Sequence, residues 1–342
     1  LSQLSREDIL QSALARAALL RIPIPVAMLW PMETGTDATL MPGFTGLPAG
    51  SLSGPVPPMR VFGTEVRPGS VDGPPGAGRL PEVTASNTSR LGVVGGLPML
   101  PLTPLSITLW FRLPTLAEIQ ALAPSVPPAN LVVAIEILTV GVTGGPIGKI
   151  TVRSDSTAGV GNLFVQFFTS DGTLLPQLNN TGSDPLLDGL WHEVMVVAGS
   201  IGTTLLPTMF LDGVQVDTDT FAGSGPVGRP TYITVAGDSD IFNLAVSQGI
   251  GIPIAVGHLG LWGFLNATSL YTVGATAYAG ETAGRRLVRL CTEEAIRLHM
   301  IGDPDDTIIM GPQTIQTLIA LLRECEAADG GILYEPREDY AL

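Results

Sequence analysis

Residues Asp188 to Val214 constrain the fold of this chain most. They read Asp188-Gly189-Leu190-Trp191-His192-Glu193-Val194-Met195-Val196-Val197, then a turn of small residues, then Thr208-Met209-Phe210-Leu211-Asp212-Gly213-Val214. In the first half His192, Val194, Val196 and Ala198 point one way and Trp191, Glu193, Met195 and Val197 the other, which is the period of an extended strand. The second half is a strand running into Asp212-Gly213, a tight reversal in which glycine supplies a positive φ. Two antiparallel strands in mid-chain predict an all-β domain. Trp191, Val194, Val196, Met209 and Leu211 are its expected core positions, Val194 and Val196 share a face, and the two faces are not expected to be equally buried.

Further strands are predicted at Leu105 to Leu113, Leu131 to Val140, Gly148 to Arg153, Asn162 to Ser170, Thr231 to Val235 and Ile254 to Trp262. Leu163, Val165 and Phe167 share one face of the fourth. Thr115 and Glu118 stand at capping-box spacing and start a short helix. Asp171 to Leu187 is turn-rich and reads as a loop. Near the C-terminus, Arg285 to Ile301, with an interruption around Thr292 as an alternative, and Gln313 to Ala328 have helical periodicity, with Pro312 at the first turn and Gly330-Gly331 at the end of the second.

The N-terminal segment is different. Ser5 to Leu20 is an amphipathic helix by pattern, and the Pro/Gly-rich stretch that follows carries Trp30, Met41 and Phe44, too apolar to leave in water. It reads as an extended arm with short embedded strands such as Arg60 to Gly63. The expected place for Leu1 to about Pro58 is against a neighbouring chain, packing on its own sandwich being the milder alternative.

Composition excludes some roles. A net charge of −14 argues against nucleic acid, which needs a basic face, and against a polybasic membrane-surface role. Ala38 to Met59 and Leu91 to Phe111 lack charge but are broken by prolines and glycines, so no membrane span is predicted. Only 14% of residues are charged, against about 25% in ordinary domains. Base composition would explain this, as the single lysine, Lys149, suggests; so would coverage of the surface by other subunits. Cys291 and Cys325 allow a disulfide between packed helices or two buried free thiols. A chain beginning at Leu1 fits proteolytic processing, signal-peptide removal included, or an incomplete start. Sequons at Asn87, Asn179 and Asn266 point mildly to a secreted protein.

The chemistry of a hydrolase is missing. Glycoside hydrolysis needs two carboxylates at the bond, and no Glu-x-Asp-x-Glu or related pattern occurs. Between Asp155 and Gly280 the only glutamate is Glu193, which reads as a structural strand residue. There is no Gly-x-Ser-x-Gly elbow and no phosphate-cradling loop. His192, His258 and His299 are scattered; His258, in a charge-free strand, reads as a core or interface residue and not a ligand, and His299 has no partner in sequence. No catalytic residue and no cofactor are expected.

The quoted stretches resemble a known family. "DGLWHEVMVV", a spacer and "MFLDGVQV" look like the central signature of laminin-G-like domains, within the concanavalin-A-like jelly-roll superfamily. Leu105 to Leu113 resembles that family's early strand, and Ile254 to Trp262 its closing strand, without the acidic residues usual there. The resemblance covers roughly Pro55 to Leu265. It implies a mainly β, antiparallel two-sheet jelly-roll sandwich over 55–280, preceded by the helix and arm of 1–54 and followed by a helical hairpin within 281–342. Such domains often bind calcium at a loop rim, and Asp238, Asp240, Asp184 and Asp188 offer hard ligands for it; turn aspartates capping their own backbone are the preferred reading. Folds of this kind host lectins, hydrolases and structural modules alike. The leading expectation is a non-enzymatic structural or assembly protein, homo-oligomeric, as in a virion (a bacteriophage head-decoration, fibre or tail component). The alternative is a secreted or cell-surface glycan-binding module.

Overall fold

The computed structural model describes residues 12–20, 26–48, 51–84, 89–93, 97–98, 105–125, 127, 132–157, 160–180, 186–236, 251–263 and 270–333. In chain order its strands are β1 (Met28–Trp30), β2 (Leu40–Met41), β3 (Met59–Phe62), β4 (Val66–Asp72), β5 (Arg79–Thr84), β6 (Arg90–Val93), β7 (Leu105–Arg112), β8 (Val132–Thr143), β9 (Ile147–Thr157), β10 (Val160–Thr169), β11 (Leu178–Asn179), β12 (Trp191–Ile201), β13 (Thr204–Leu211), β14 (Val214–Thr218), β15 (Arg229–Val235) and β16 (Pro253–Trp262). The helices are α1 (Ala13–Leu20), α2 (Leu116–Leu122), α3 (Tyr271–Thr276), α4 (Ala283–Glu293) and α5 (Leu318–Asp329). Two antiparallel sheets of eight strands form a β-sandwich. Sheet A runs β14-β13-β12-β7-β16-β5-β4 with β1 added beside β16, and sheet B runs β11-β10-β9-β8-β15-β6-β3-β2.

The central pair has the expected register: Val194 lies opposite Leu211 and Val196 opposite Met209, with Leu109 and Ile107 on the other side. Asp212 (φ 52°) and Gly213 (φ 79°) both take left-handed backbone, the geometry of a type I′ hairpin turn. The unequal burial expected of the two faces is corrected on β12, where every residue from His192 to Gly199 is buried. Helices cover the outer face of sheet A. Tyr271 stacks on Trp110 with centroids 5.8 Å apart, and Gly274 sits so close that a Cβ there would lie 2.1 Å from the Trp110 ring. Glu193 accepts the Leu270 N–H at 3.0 Å, while α1 is tied beside α3 through Leu14 N to Gly76 O and Gly76 N to Gly274 O, both 2.8 Å.

The N-terminal segment is built into its own sandwich. β1 pairs with β16 through Met28–Leu261 and Trp30–Leu259, and β2 pairs with β3 through Leu40–Arg60 and Met41–Met59. Trp30 and Met41 are fully buried and Phe44 packs against the core. Trp30, Met41 and Phe44, which call for a partner in the sequence, therefore find one inside the chain; residues 1–11 of the segment, with the first half of the expected Ser5 to Leu20 helix, and residues 21–25 lie outside the described residues.

The capping box at α2 is present, Glu118 N donating to Thr115 Oγ1 at 3.2 Å and Thr115 N to Glu118 Oε2 at 2.7 Å. The break in the first C-terminal helix falls beside Thr292, and the start of the second moves. α4 stops at Glu293 because Ala295 turns left-handed (φ 54°) and Ile296 N reaches back to Cys291 O at 2.8 Å, a Schellman-type stop. α5 starts only after Thr317, whose hydroxyl accepts from Ala320 N; Gln313, expected in its first turn, instead donates its N–H to Ala277 O. The loop Asp171 to Leu187 contains the short strand β11.

A buried ionic cluster joins α1 to α4 and the residues at its two ends. Arg16 pairs with Glu293 (2.9 Å) and Glu294 (3.2 Å), Arg289 with Glu281 (2.9 Å) and Glu293 (3.0 Å), and Arg286 with Glu281 (3.3 Å). Three arginines thus meet three glutamates, which is how charges this deep are tolerated. Cys291 and Cys325 are both free and buried; burial raises both thiols, Cys325 to about 11. Among the described residues no helix is long and apolar enough to cross a membrane.

Candidate functional site

The outer face of sheet B carries an ordered set of side chains. On β10, Leu163, Val165 and Phe167 are buried against sheet A, so Phe164, Gln166 and Phe168 point outward. The strand register extends this pattern sideways. Gln166 lies opposite Thr151, Thr151 opposite Thr139, Thr139 opposite Thr234, Thr234 opposite Gly92, and Gly92 opposite Arg60. One polar row thus crosses β10, β9, β8, β15, β6 and β3. Beside it runs a second row, Phe168, Lys149, Gly141 and Tyr232. On its other side lie Phe164, Arg153 and Glu136.

The floor is fixed by its own hydrogen bonds. Gln166 Nε2 donates to Gln177 Oε1 at 2.9 Å, Thr151 Oγ1 to Gln166 Oε1 at 3.4 Å, and Thr139 Oγ1 to Glu136 Oε1. Thr139, Thr151 and Glu136 are buried. The walls are half-exposed aromatic rings. Tyr232 keeps 41% of its surface exposed and lies flat over Gly141, where a Cβ would come within 1.9 Å of the ring. Gly141 is therefore required for that ring position. Lys149 lies over the Phe168 ring at 4.6 Å, and Arg90 over Phe62 at 5.3 Å. The two carboxylates of this face are committed: Glu136 to Thr139, and Asp155 to the Arg153 guanidinium through both of its oxygens.

The aspartates suggested by the sequence give less. Asp184, Asp238 and Asp240 lie outside the described residues. Asp188 Oδ1 accepts Leu190 N at 2.7 Å and faces His192 Nε2 at 3.3 Å, so it caps its own turn and holds a histidine. Asp212 Oδ2 binds His192 Nδ1 at 2.7 Å, and its other oxygen accepts Glu193 N at 2.8 Å. Burial, the largest single influence, pulls the His192 pKa down, but hydrogen bonds and charge from Asp212 and Asp188 together outweigh it and hold the ring above its usual value. His258 is likewise structural, its Nε2 2.7 Å from Glu33 Oε1. Among the described residues no group of three His, Cys, Asp or Glu side chains gathers as a metal site.

The signal for the sheet B face was present in the sequence. Lys149-x-Thr151-x-Arg153-x-Asp155 and Phe164-x-Gln166-x-Phe168 alternate polar or aromatic residues against an aliphatic face. Only the strand register shows that they form rows.

No family model matches the chain, and no curated protein matches it. Among solved structures it is similar to the receptor binding domain of botulinum neurotoxin C/D mosaic serotype, with 10% identity and a TM-score of 0.46 over 75% of this chain and 52% of that one. It is similar to the botulinum neurotoxin serotype D binding domain at 12% identity and a TM-score of 0.46, covering 77% and 52%. It is also similar to the binding domain of Paraclostridial Mosquitocidal Protein 1 at 11% and 0.44, covering 66% and 48%. These likenesses are distant, and the chain spans about half the length of each of the three.

Proposed function

We propose that this chain is a non-catalytic glycan-binding module, an extracellular sandwich of the laminin-G-like, concanavalin-A-like kind, whose ligand lies across the strands of sheet B. The observation that carries this reading is the polar row from Gln166 to Thr234 flanked by Phe164, Phe168 and Tyr232. Sugars present apolar C–H faces and many hydroxyls. A floor of amides and hydroxyls already fixed by mutual hydrogen bonds, with aromatic rings beside it, complements both, and such preorganisation lowers the ordering cost of binding. The carboxylates of the face are held by Thr139 and Arg153, which favours binding over acid–base chemistry. Of the features that favour an assembly protein, the N-terminal arm is the one with an alternative account here, since Trp30 and Met41 are buried and Phe44 packs within the chain.

A glycan array followed by calorimetry on the best ligand tests the proposal. Tyr232→Ala and Gln177→Ala should each weaken binding by about tenfold, the loss of one good contact, with little change in Tm because both side chains are exposed. Gly141→Ala should do the same by displacing the Tyr232 ring without removing it. A ligand bound equally by the wild type and all three variants would remove sheet B as the site.

A further inference from the structure

The charge on sheet B contradicts the charge of the chain. The protein as a whole carries −14, yet the outward positions of the sheet B strands hold Arg60, Arg90, Lys149, Arg153 and, at the end of β15, Arg229 against only two carboxylates, Glu136 and Asp155. Of these, Arg153 and Asp155 neutralise one another, and Glu136 is buried and takes the Thr139 hydroxyl. Arg60, Arg90 and Lys149 make no ion pair among the described residues; Lys149 and Arg90 instead rest on the Phe168 and Phe62 rings. Lys149 is the only lysine of the chain.

Placement matters as much as number. Lys149 is on β9, Arg90 on β6 and Arg60 on β3, so the two cationic groups stand at opposite ends of the polar row. With strands about 4.8 Å apart, the four steps from β9 to β3 span about 19 Å. At physiological ionic strength charges more than about 8 Å apart are largely screened in solvent. A ligand on this face therefore responds to these local cations more than to the distant acidic groups that set the net charge.

We infer that the ligand is an anionic glycan: an oligosaccharide carrying carboxylate or sulfate groups, laid across β9, β8, β15, β6 and β3 with acidic groups at both ends and a sugar ring over Tyr232 between them. This inference rests on the glycan reading above and can fail without it. A neutral glycan would leave both cationic groups without a function at the ends of the row, whereas an acidic one pairs with them while the Phe168 and Phe62 rings hold Lys149 and Arg90 in place.

The test uses three probes on the full chain: a galacturonate hexamer, its fully methyl-esterified form, which has the same skeleton without charge, and a sulfated galactan hexamer. The acid, the sulfated probe or both should bind at least tenfold more tightly than the ester, and the preference should shrink as salt rises from about 0.05 to 0.5 M. Lys149→Met and Arg90→Gln should each weaken the charged probe by about fivefold, as expected for one exposed ion contact, and by clearly more than they weaken the ester; an equal loss for acid and ester would overturn the role of the cations. Carboxylate and sulfate are told apart by which charged probe survives competition from the other. Equal affinity for acid and ester, with both lost in Tyr232→Ala, overturns the inference and leaves the glycan reading standing. Failure of all three probes overturns the inference, and failure of every glycan on the array overturns the reading with it.

Discussion

Trp30→Ala is the sharpest test of whether the N-terminal segment belongs to this chain's own core. Trp30 has no exposed surface, its indole N–H donates to Pro57 O at 2.8 Å, and Gly43 approaches so closely that a Cβ there would lie 2.7 Å from the indole nitrogen. Deleting a buried tryptophan side chain costs about 3–5 kcal/mol, partly as lost transfer energy and partly as cavity. Stranding the Pro57 carbonyl adds about 1 kcal/mol. β1 is held by its ladder with β16 and by the Leu29–Phe44 bridge, so little collapse is expected and the sum is about 5 kcal/mol. That is a third or more of the stability of an ordinary domain. With a urea m-value of about 3 kcal/mol/M for a chain this large, the unfolding midpoint should fall by about 1.7 M. Far-ultraviolet circular dichroism against urea reads this directly, and light scattering on the same samples reads particle mass. A midpoint within about 0.3 M of wild type would refute the docking of this segment on its own sandwich, and a simultaneous loss of particle mass would place it on a neighbour instead.

Three other outcomes follow from packing and charge. Val196→Ala, opposite Met209 and Ile107 in the core, should cost about 2 kcal/mol, whereas Val214→Ala, 64% exposed, should stay within about 0.5 kcal/mol; equal effects in thermal melts would contradict the register. Because the folded pKa of His192 is raised above an unfolded value of about 6.5, its stabilisation is complete below that pH and is lost as pH rises through the folded pKa. Wild-type Tm should therefore fall across that window while the His192→Gln profile stays flat, and parallel profiles would refute the clamp by Asp188 and Asp212. Cys291 and Cys325 should resist a thiol reagent at about pH 7.5 until denaturant is added; rapid labelling of the folded protein would show that α4 and α5 are not packed as described.

Much of the sandwich is legible in the sequence because strands report their own period. The alternation of Trp191 to Ala198, the Asp212-Gly213 turn and the Thr115/Glu118 box are local signals, and local physics fixes their outcome. The burial of β12 on both faces is not local. It depends on α3, and Gly274 reveals its role only when Trp110 is beneath it. The start of α5 misses for the same reason: Gln313 has helical neighbours in sequence, but Ala277 takes its N–H. The candidate site follows this rule most strongly, since no single strand contains it. Thr151 and Thr139 are ordinary β residues until the register sets them in one row with Gln166 and Thr234.

The pairing of Arg16 with Glu293 has a consequence in time. Their hydrogen bond closes 277 positions, and β1 likewise waits for β16, since Met28 pairs with Leu261. A ribosome adding about 5–20 residues per second makes Arg16 roughly 14–55 seconds before its partner exists. Throughout that interval a helix with a guanidinium on its buried side, and a Trp30 strand with no edge to join, are in solution beside a growing chain. The α1 and β1 residues are thus made well before their final contacts exist, and the cell that makes this protein must keep them soluble until α4 emerges.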